Sequence, residues 1–417
     1  MTATTENLIT TKNPNGFALP GITLESRQVL HELLVDNHEK HHIFFNEKQF
    51  HNHIPHQLMA AAALGSSPDT LRKIYKLHSA YQRPQMPVKY DINESNLADY
   101  VLKEDAYSSY LAFFDKQFKS MTVREIFDKY ATIEPIYDGL FGGLYHPLIH
   151  FCYGVEFDNK LVMAEGLAMA AIQQQDPGFR VVEIFEMENL QLESKSIPEI
   201  LDAIRNDQEI QRAVPYSEPM KFKTLGNNDT ATKKLLKRTS HWHVAADAQD
   251  IDAKFKELFQ TVVDLYAASQ RHGKPYQLDF FLMHLLTSIL FVYVLLPHLS
   301  LENQAKVVKV HFVKAAQWFV TRGSPKIDRS VVYAHKSTAP HTENPWFAVW
   351  NMSVENMDLH VVKVIRSLSK ADELFAQDGD DYYVKAAQMT VETTIVDDPV
   401  KHDVWGRNPI GFDEAWK

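Results

Sequence analysis

Histidine is the side chain of this sequence that points most directly to chemistry. The chain has 20 histidines, and many lie in four short clusters: HEKHH (38–42), HNHIPH (51–56), HPLIH (146–150) and HWH (241–243). Neutral imidazole is the commonest side-chain ligand for transition metals, and it also transfers protons near neutral pH. No single cluster completes a metal site, so a ligand set would have to combine histidines from several segments.

The first cluster matches the zinc-protease pattern H-E-x-x-H at His38, Glu39 and His42. In that pattern two histidines one helical turn apart bind zinc, and the glutamate activates a water molecule. The surroundings here are polar, and no third ligand follows at a recognisable spacing. The sequence therefore favours a structural or pocket-lining role for this segment over a protease site.

Two histidine pairs, His53 with His56 and His146 with His150, straddle the predicted starts of two helices. A proline lies within each pair, and the residue before a proline avoids helical geometry. We therefore expect His53 and His146 to precede their helices and His56 and His150 to lie within the first turns. Histidines near helix starts usually cap or pack, and two similar placements in one chain strengthen the alternative of a ligand role without displacing that interpretation.

Residues 278–296, LDFFLMHLLTSILFVYVLL, are apolar around the whole circumference of a helix, except for one face that carries His284, Thr287 and Ser288. Such a helix lies inside a protein or a membrane. The polar face and the absence of a flanking basic cluster predict a buried helix and no membrane span. A histidine this deep is either a metal ligand or a core residue bonded to a neighbour, since an unpaired buried polar group costs about 1–3 kcal/mol.

Residues 358–376 form an amphipathic helical pattern that begins near His360, on the flank of the apolar face. Around the circumference of this helix, Lys363 lies closer to Arg366 and Lys370 than to the apolar residues. The pattern by itself therefore indicates a solvated lysine.

Helical spacing dominates the rest of the chain, and convincing strand patterns are scarce, with 180–187 ambiguous. Loops are predicted at 82–95, 215–232 and 322–345, where proline, glycine, asparagine and charged residues concentrate. The sequence predicts a mainly α fold with a buried metal site between helices: an N-terminal extension over 1–25 and one large helical domain over 26–417. Predicted helices cover 26–44, 54–64, a segment from 68, 96–104, 107–118, 122–130, 147–153, 160–175, 197–205, 251–271, 278–296, 302–321, 346–352 and 358–376.

Composition narrows the function classes. Hydrophobic residues make up 45% of the 417 residues, and the net charge is −10 without a basic block, so nucleic acid is not an expected partner. The single cysteine, Cys152, excludes an intramolecular disulfide and a cysteine-based zinc or iron–sulfur site.

The N-terminal residues lack the pattern of a signal peptide, and we expect a cytoplasmic protein. No two glycines are separated by one residue, so G-x-G-x-x-G and a Rossmann flavin or nicotinamide site have no support.

Several of these segments, taken in order, resemble the questin oxidase family of fungal and bacterial proteins. The resemblance covers nearly the whole chain. The matching stretches are NHEKHHIFFN (37–46), FHNHIPHQLMAAAALGSSPD (50–69), GLYHPLIHFCYGVEF (143–157), AEGLAMAA (164–171), NPWFAVW (344–350), DLHVVKVIRSL (358–368) and GFDEAW (411–416).

The resemblance implies an oxygenase that uses O2 to open a ring of an anthraquinone or related aromatic polyketide. It implies an Fe(II) centre held by histidines and a modified lysine, and the metal ligands that we predict are His56, His150, His284, His360 and Lys363. Buried beside a cation, Lys363 would lose its proton and bind CO2 as a carbamate. Thr287, His53 and His146 are predicted as further active-site residues, and the last two are also the alternative ligands of their pairs.

Two other functions fit the same residues. In a metal-dependent hydrolase of all-helical type, the histidines would hold a metal that activates water. In a helical binding protein, a hydrophobic pocket would hold an aromatic ligand without chemistry. For the oxygenase, the expected partners are a small aromatic substrate and O2, with no nucleic acid and no membrane; the sequence leaves the oligomeric state open.

Overall fold

A computed structural model describes residues 13–175, 177–187, 192–395 and 403–417. Within these ranges the chain is helical, and no β-strand forms beyond isolated bridges such as Asp279 with Gly406. The helices are α1 (Leu24–Lys40), α2 (Ile54–Ala63), α3 (Pro68–Ser79), α4 (Tyr107–Gln117), α5 (Val123–Ile126), α6 (Glu134–Phe141), α7 (His146–Glu156), α8 (Lys160–Ile172), α9 (Val181–Glu186), α10 (Ile197–Arg205), α11 (Gln208–Arg212), α12 (Lys221–Gly226), α13 (Asp229–Thr239), α14 (Ala248–Ala267), α15 (Phe280–Leu295), α16 (Leu301–Thr321), α17 (Ser330–Tyr333), α18 (Pro345–Glu355), α19 (Val361–Phe375) and α20 (Tyr382–Thr393).

Helix α15 lies at the centre of the fold, where it packs against α7, α14, α16 and α19. It begins at Phe280 because Asp279 caps it, and the Asp279 carboxylate accepts hydrogen bonds from the backbone N–H groups of Phe281 and Leu282 at 2.8 and 3.1 Å. The same carboxylate forms a buried ion pair with Arg322 at 2.7 Å. The cap and the ion pair together fix the start of the helix that carries His284.

The stretch Phe280–His298 is long and apolar enough to cross a membrane, with a mean hydropathy of 2.1, and 78% of it is buried inside the protein. A membrane span and a core helix share this length and composition. Contacts with four other helices account for the apolar surface of α15. The burial therefore agrees with the expectation of a core helix.

Three further helices meet α15 around one buried region. Helices α7 and α19 both pack against α15, and α2 packs against α7 and α19. Helix α8 lies along α7 at very close range, since a Cβ atom on Gly166 would stand 2.3 Å from the backbone nitrogen of Phe151. The glycine therefore allows the approach that sets the relative position of these two helices.

The predicted mainly helical, single-domain fold is confirmed. Helix bounds next to capping serines were predicted to within one residue, as in α10 and α16, and so were those of α2, where Pro55 lies in the first turn. The predicted loop at 215–232 is wrong, because it contains α12 and the start of α13. Asn228, which suggested a loop, caps α13 by accepting from the backbone N–H of Ala231 at 3.1 Å. Likewise the predicted loop at 322–345 contains α17, the ambiguous segment 180–187 contains α9, and α6, α11 and α20 were not predicted.

The N-terminal segment covers a face of α19 that the sequence pattern had indicated as solvated. The Arg366 guanidinium donates to the backbone carbonyl of Phe17 at 2.7 and 3.0 Å and pairs with Glu156, while Lys370 donates to the carbonyl of Pro14 at 3.1 Å. Arg366, Lys370 and Lys363 are all buried. The solvated interpretation is therefore wrong, because residues 13–19 and α7 cover this face. The predicted boundary at residue 25 stays a prediction, and residues 1–12 of the extension lie outside the described residues.

Candidate metal centre

Four histidines from distant segments converge in the protein interior: His53, His146, His284 and His360. Each offers one ring nitrogen, and these four nitrogens all lie within 4.8 Å of one another. All four residues are buried, with exposed fractions of 9%, 3%, 0% and 7%. Nitrogens that each bind one ion at about 2 Å must lie within such a distance of one another. The group can therefore hold a metal ion.

The ring protons of three of these histidines are fixed by the backbone. The Nδ1 atoms of His53, His146 and His284 each donate a hydrogen bond to a nearby main-chain carbonyl, at 2.6, 2.6 and 2.7 Å. Because a carbonyl oxygen only accepts, the proton lies on Nδ1 and the neutral ring keeps a lone pair on Nε2. The Nε2 atoms of His53 and His146 are 2.7 Å apart. Two lone pairs that face each other at this distance repel, and a cation between them removes the repulsion.

The electrostatic surroundings keep all four rings neutral. Burial lowers the pKa of each well below its ordinary value, and the neighbouring Lys363 lowers it further. Metal ligation requires neutral imidazole. Nε2 of His284 and both ring nitrogens of His360 lack a hydrogen-bond partner among the described residues. Buried polar atoms are rarely left unpaired, so these nitrogens fit a group of metal ligands.

Lys363 lies one turn after His360 on α19 and is 1% exposed. Its Nζ has no hydrogen-bond partner in the part of the chain that the structure describes. Burial lowers the pKa of Lys363 to about 7, although the nearby Asp358 acts in the opposite direction. A substantial fraction of the side chain is therefore a neutral amine near neutral pH.

The four histidines enter the site in different ways. His53 and His360 are the N-cap residues directly before α2 and α19, and His284 lies inside α15. His53 thus precedes its helix as predicted. The prediction that His360 lies within a helix is wrong, because α19 begins at Val361 and the Asp358 carboxylate accepts from the backbone N–H groups of His360 and Val361 at 2.8 and 3.3 Å.

His146 is the first residue of α7, although Pro147 had predicted a position before the helix. Leu144 and Tyr145 adopt left-handed backbone conformations, with φ of 59° and 62°, directly before it. This tight turn reverses the chain within two residues. His146 can then take helical geometry despite the following proline, and its side chain reaches the cluster.

His56 and His150, two of the predicted ligands, form a second group beside the cluster. Their Nε2 and Nδ1 atoms are 3.0 Å apart, and Nε2 of His150 donates to Glu165 at 2.6 Å. The other oxygen of Glu165 lies 2.9 Å from Nδ1 of His38, and Nε2 of His38 lies 3.2 Å from a carboxylate oxygen of Asp115. These five side chains form a continuous hydrogen-bonded chain from the cluster towards the surface. The structure therefore groups His284 and His360 with the alternative ligands His53 and His146, and places His56 and His150 next to them.

The inner carboxylate of this chain is ionised. Burial alone would raise the pKa of Glu165, but hydrogen bonds and charge from His150 and His38 outweigh it and lower the pKa to about 2. Burial would likewise lower the pKa of His38, yet its bonds to Asp115 and Glu165 raise it to about 10. His38 is therefore a protonated partner of two carboxylates, and it does not pair with His42 in a zinc-protease site.

The remaining polar residues of α15 are satisfied locally. Thr287 donates to the carbonyl of His284 at 3.3 Å, and Ser288 meets His311 at 2.9 Å. The ring of Phe280 lies 4.7 Å from His284 and 5.5 Å from His360, measured between ring centroids. Phe280 therefore covers one side of the cluster.

Sequence reasoning missed the roles of Phe280 and Glu165. Glu165 carried a usable signal, because it is the only charged residue after the first position of the otherwise apolar helix α8. A carboxylate in such a place needs buried partners. Phe280 gave no comparable signal, since a phenylalanine at the start of an apolar helix is ordinary.

Comparisons with known proteins identify the family of this chain. The model of the questin oxidase-like family matches residues 50–368, a span that contains all four histidines and Lys363. Among curated proteins, the chain is 28% identical to the Baeyer–Villiger monooxygenase AacuH of Aspergillus aculeatus, over 97% of this chain and 93% of the relative. It is 28% identical to the Baeyer–Villiger oxidase ptaJ of Pestalotiopsis fici, over 94% and 93%. It is 27% identical to the questin oxidase of Aspergillus terreus, over 93% and 92%. The chain therefore belongs to the questin oxidase-like family.

Proposed function

We propose that the protein is an Fe(II)-dependent oxygenase that oxidatively cleaves a ring of an anthraquinone or related aromatic polyketide. The observation that carries the proposal is the buried group of four neutral histidines, each of which offers one ring nitrogen within 4.8 Å of the others. The names of the relatives, questin oxidase and Baeyer–Villiger oxidase, support the oxygenase class and the use of O2. The family assignment supports an oxidoreductase.

The ligands in this proposal are His53, His146, His284 and His360. Imidazole nitrogens suit iron, and these four side chains would hold it. When bound, iron supplies the one-electron chemistry that lets O2 react with a closed-shell aromatic compound. The backbone carbonyls that hold Nδ1 of three rings also hold those rings in orientation.

Lys363 is proposed as a fifth ligand in modified form. Its neutral Nζ adds to the carbon of CO2 and releases one proton, which leaves a carbamate with a carboxylate end. This modification replaces an unpaired buried amine by an anion beside a cation. Thr287, one turn after His284 on α15 and fully buried, is proposed to turn its hydroxyl away from the carbonyl of His284 and to donate that hydrogen bond to the carboxylate instead.

His56 is proposed to accept a proton from a substrate hydroxyl. In the neutral chain His150 donates to Glu165, so His56 donates from Nε2 to His150 and keeps a lone pair on Nδ1. That Nδ1 atom is buried without a hydrogen-bond partner among the described residues. The His56 ring lies 5.6 Å from the His53 ring, which places it next to the proposed metal.

The test is a metal-resolved assay of the purified protein. We expect about one iron per chain by elemental analysis, and oxygen uptake with 1,8-dihydroxyanthraquinone that a chelator abolishes and that Fe(II), but not Zn(II), restores. Carbon-13 NMR after exposure to labelled CO2 should show a carbamate that Lys363→Met lacks.

Three results would contradict the proposal. Full activity of metal-free protein removes the need for iron. Turnover of an ester or amide without oxygen uptake indicates the hydrolase. Ligand binding without turnover, unchanged in His284→Ala after correction for stability, indicates a binding protein.

A further inference from the structure

A cavity of about 410 Å³ opens beside the histidine cluster, between residues 216–222 and the C-terminal residues 407–409. Its volume falls within the range of about 300–1,000 Å³ that is typical of small-molecule sites. Three aromatic rings and two guanidinium groups are among its eleven lining residues. The lining residues that matter here are Tyr216, Ser217, Phe222, Phe281, Arg322 and Arg407.

Two side chains separate this cavity from the histidines. The guanidinium of Arg407, which lines the cavity, lies 3.9 Å from the ring centroid of Phe280. The ring of Phe280 in turn contacts His284 and His360. The Arg407 side chain is 55% exposed and pairs with the exposed Asp403, so it can turn aside at little energetic cost.

The walls present flat surfaces at defined spacings. The Phe222 and Phe281 rings lie 5.6 Å apart, and the Arg322 guanidinium lies 4.5 Å from the Phe281 ring centroid. The buried pair with Asp279 holds Arg322 in place. Aromatic faces and guanidinium planes both stack on planar π-systems. The lining therefore suits a flat polycyclic aromatic ligand.

Another cavity, of about 500 Å³, is a poor alternative. Residues 88–94 and α4 line it. Among the described side chains, no ring contact or cation–π contact joins its lining residues to Phe280 or to the four histidines, whereas Arg407 of the 410 Å³ cavity lies over the Phe280 ring. This second cavity therefore serves as an internal control.

We propose that the 410 Å³ cavity is the site that receives the planar aromatic substrate, and that Phe280 and Arg407 form the wall through which the substrate reaches the histidine cluster. This inference rests on the proposed function and adds to it the route and the residues that select the substrate. Arg407 stacks on the ligand from one side, and Phe281 with Phe222 from the other.

The test is equilibrium binding of 1,8-dihydroxyanthraquinone to the iron-loaded protein under anaerobic conditions, followed by absorbance. Ser217→Trp adds a large side chain at the exposed rim of the cavity, and we expect the Kd to rise about tenfold or more. Val88→Trp adds the same bulk at the exposed rim of the other cavity and should leave the Kd unchanged. Arg407→Gln should weaken binding severalfold by removal of the stacking guanidinium.

Iron content and oxygen uptake separate this inference from the function. If Ser217→Trp and Arg407→Gln bind the quinone like the wild type while iron content and turnover persist, the cavity is not the substrate site and the function stands. A raised Kd in Val88→Trp alone would move the site to the other cavity and overturn the inference. If the wild type neither binds the quinone nor consumes oxygen with it, both proposals are wrong.

Discussion

A proton on Nδ1 decides what the opposite nitrogen of a histidine ring can do. In three histidines of the cluster, Nδ1–H donates a hydrogen bond to a main-chain carbonyl, which leaves the lone pair of Nε2 free for a metal ion. His56 and His150, only three and four residues further along, use their nitrogens in a hydrogen-bonded chain instead. The difference lies in backbone geometry and not in residue type.

This explains what the sequence could reveal about the site. His284 stood alone as the imidazole of an apolar helix, and His360 began an amphipathic one, so both were identifiable. Within the pairs around Pro55 and Pro147, the sequence offered two imidazoles a turn apart. Which ring has a carbonyl within reach of Nδ1 depends on the turn before the helix, and spacing does not encode that turn.

Two alanine substitutions distinguish the ligand sets. We expect His146→Ala to lose iron, with affinity reduced by more than the roughly 10–100-fold typical of losing a supporting residue. His56→Ala should keep close to one iron per chain and lose turnover, because it removes only the proposed proton acceptor. Elemental analysis after dialysis against a weak chelator is the measurement. Iron loss in His56→Ala with retention in His146→Ala would restore the ligand set predicted from the sequence.

At the scale of helices, capping residues explain most of the helix starts that were predicted correctly and several of those that were missed. Ser67 and Ser196 accept from backbone N–H groups at the starts of α3 and α10, and both starts were predicted. Asn228 does the same for α13 but sits among other polar residues, which looked like a loop. The residue type identifies a possible capping residue, but it does not establish that a helix follows. Most of the stability of a helix comes from its tertiary packing, which the local sequence does not show.

The contact between α7 and α8 gives a prediction at this scale. Gly166→Ala places a Cβ atom 2.3 Å from the Phe151 backbone nitrogen, so the helices must separate. We expect a loss of about 1–3 kcal/mol in the free energy of unfolding, despite the better helix propensity of alanine, together with weaker contact between His150 and Glu165. Gly406→Ala is the control, since its nearest atom would lie at 3.4 Å. Equal denaturation midpoints for the two variants would contradict the prediction.

For the molecule as a whole, the chain from His56 to Asp115 joins helices α1, α2, α4, α7 and α8. Its charged members couple folding to pH. The pKa of His38 is raised to about 10 from 6.5, so its contribution to stability is fully present below pH 6.5 and is lost as the pH rises through 10. The pKa of Glu165 is lowered to about 2 from 4.5, so its contribution is present above pH 4.5 and is lost as the pH falls through 2.

We therefore expect the melting temperature to fall as the pH rises from 6.5 to 10, measured by thermal denaturation of the metal-free protein. His38→Gln should lower the melting temperature at pH 6.5 and reduce this decline, because it removes the cation between two carboxylates. A wild-type melting temperature that declines no more than that of His38→Gln over this range would show that His38 is not held protonated.

Three of the clustered histidines stand at the very beginnings of α2, α7 and α19. The start of a helix carries about half a positive charge from its aligned peptide dipoles. Three such ends near one cluster raise the local potential, which favours the less oxidised state of a redox metal. Iron bound as proposed would therefore have a raised reduction potential.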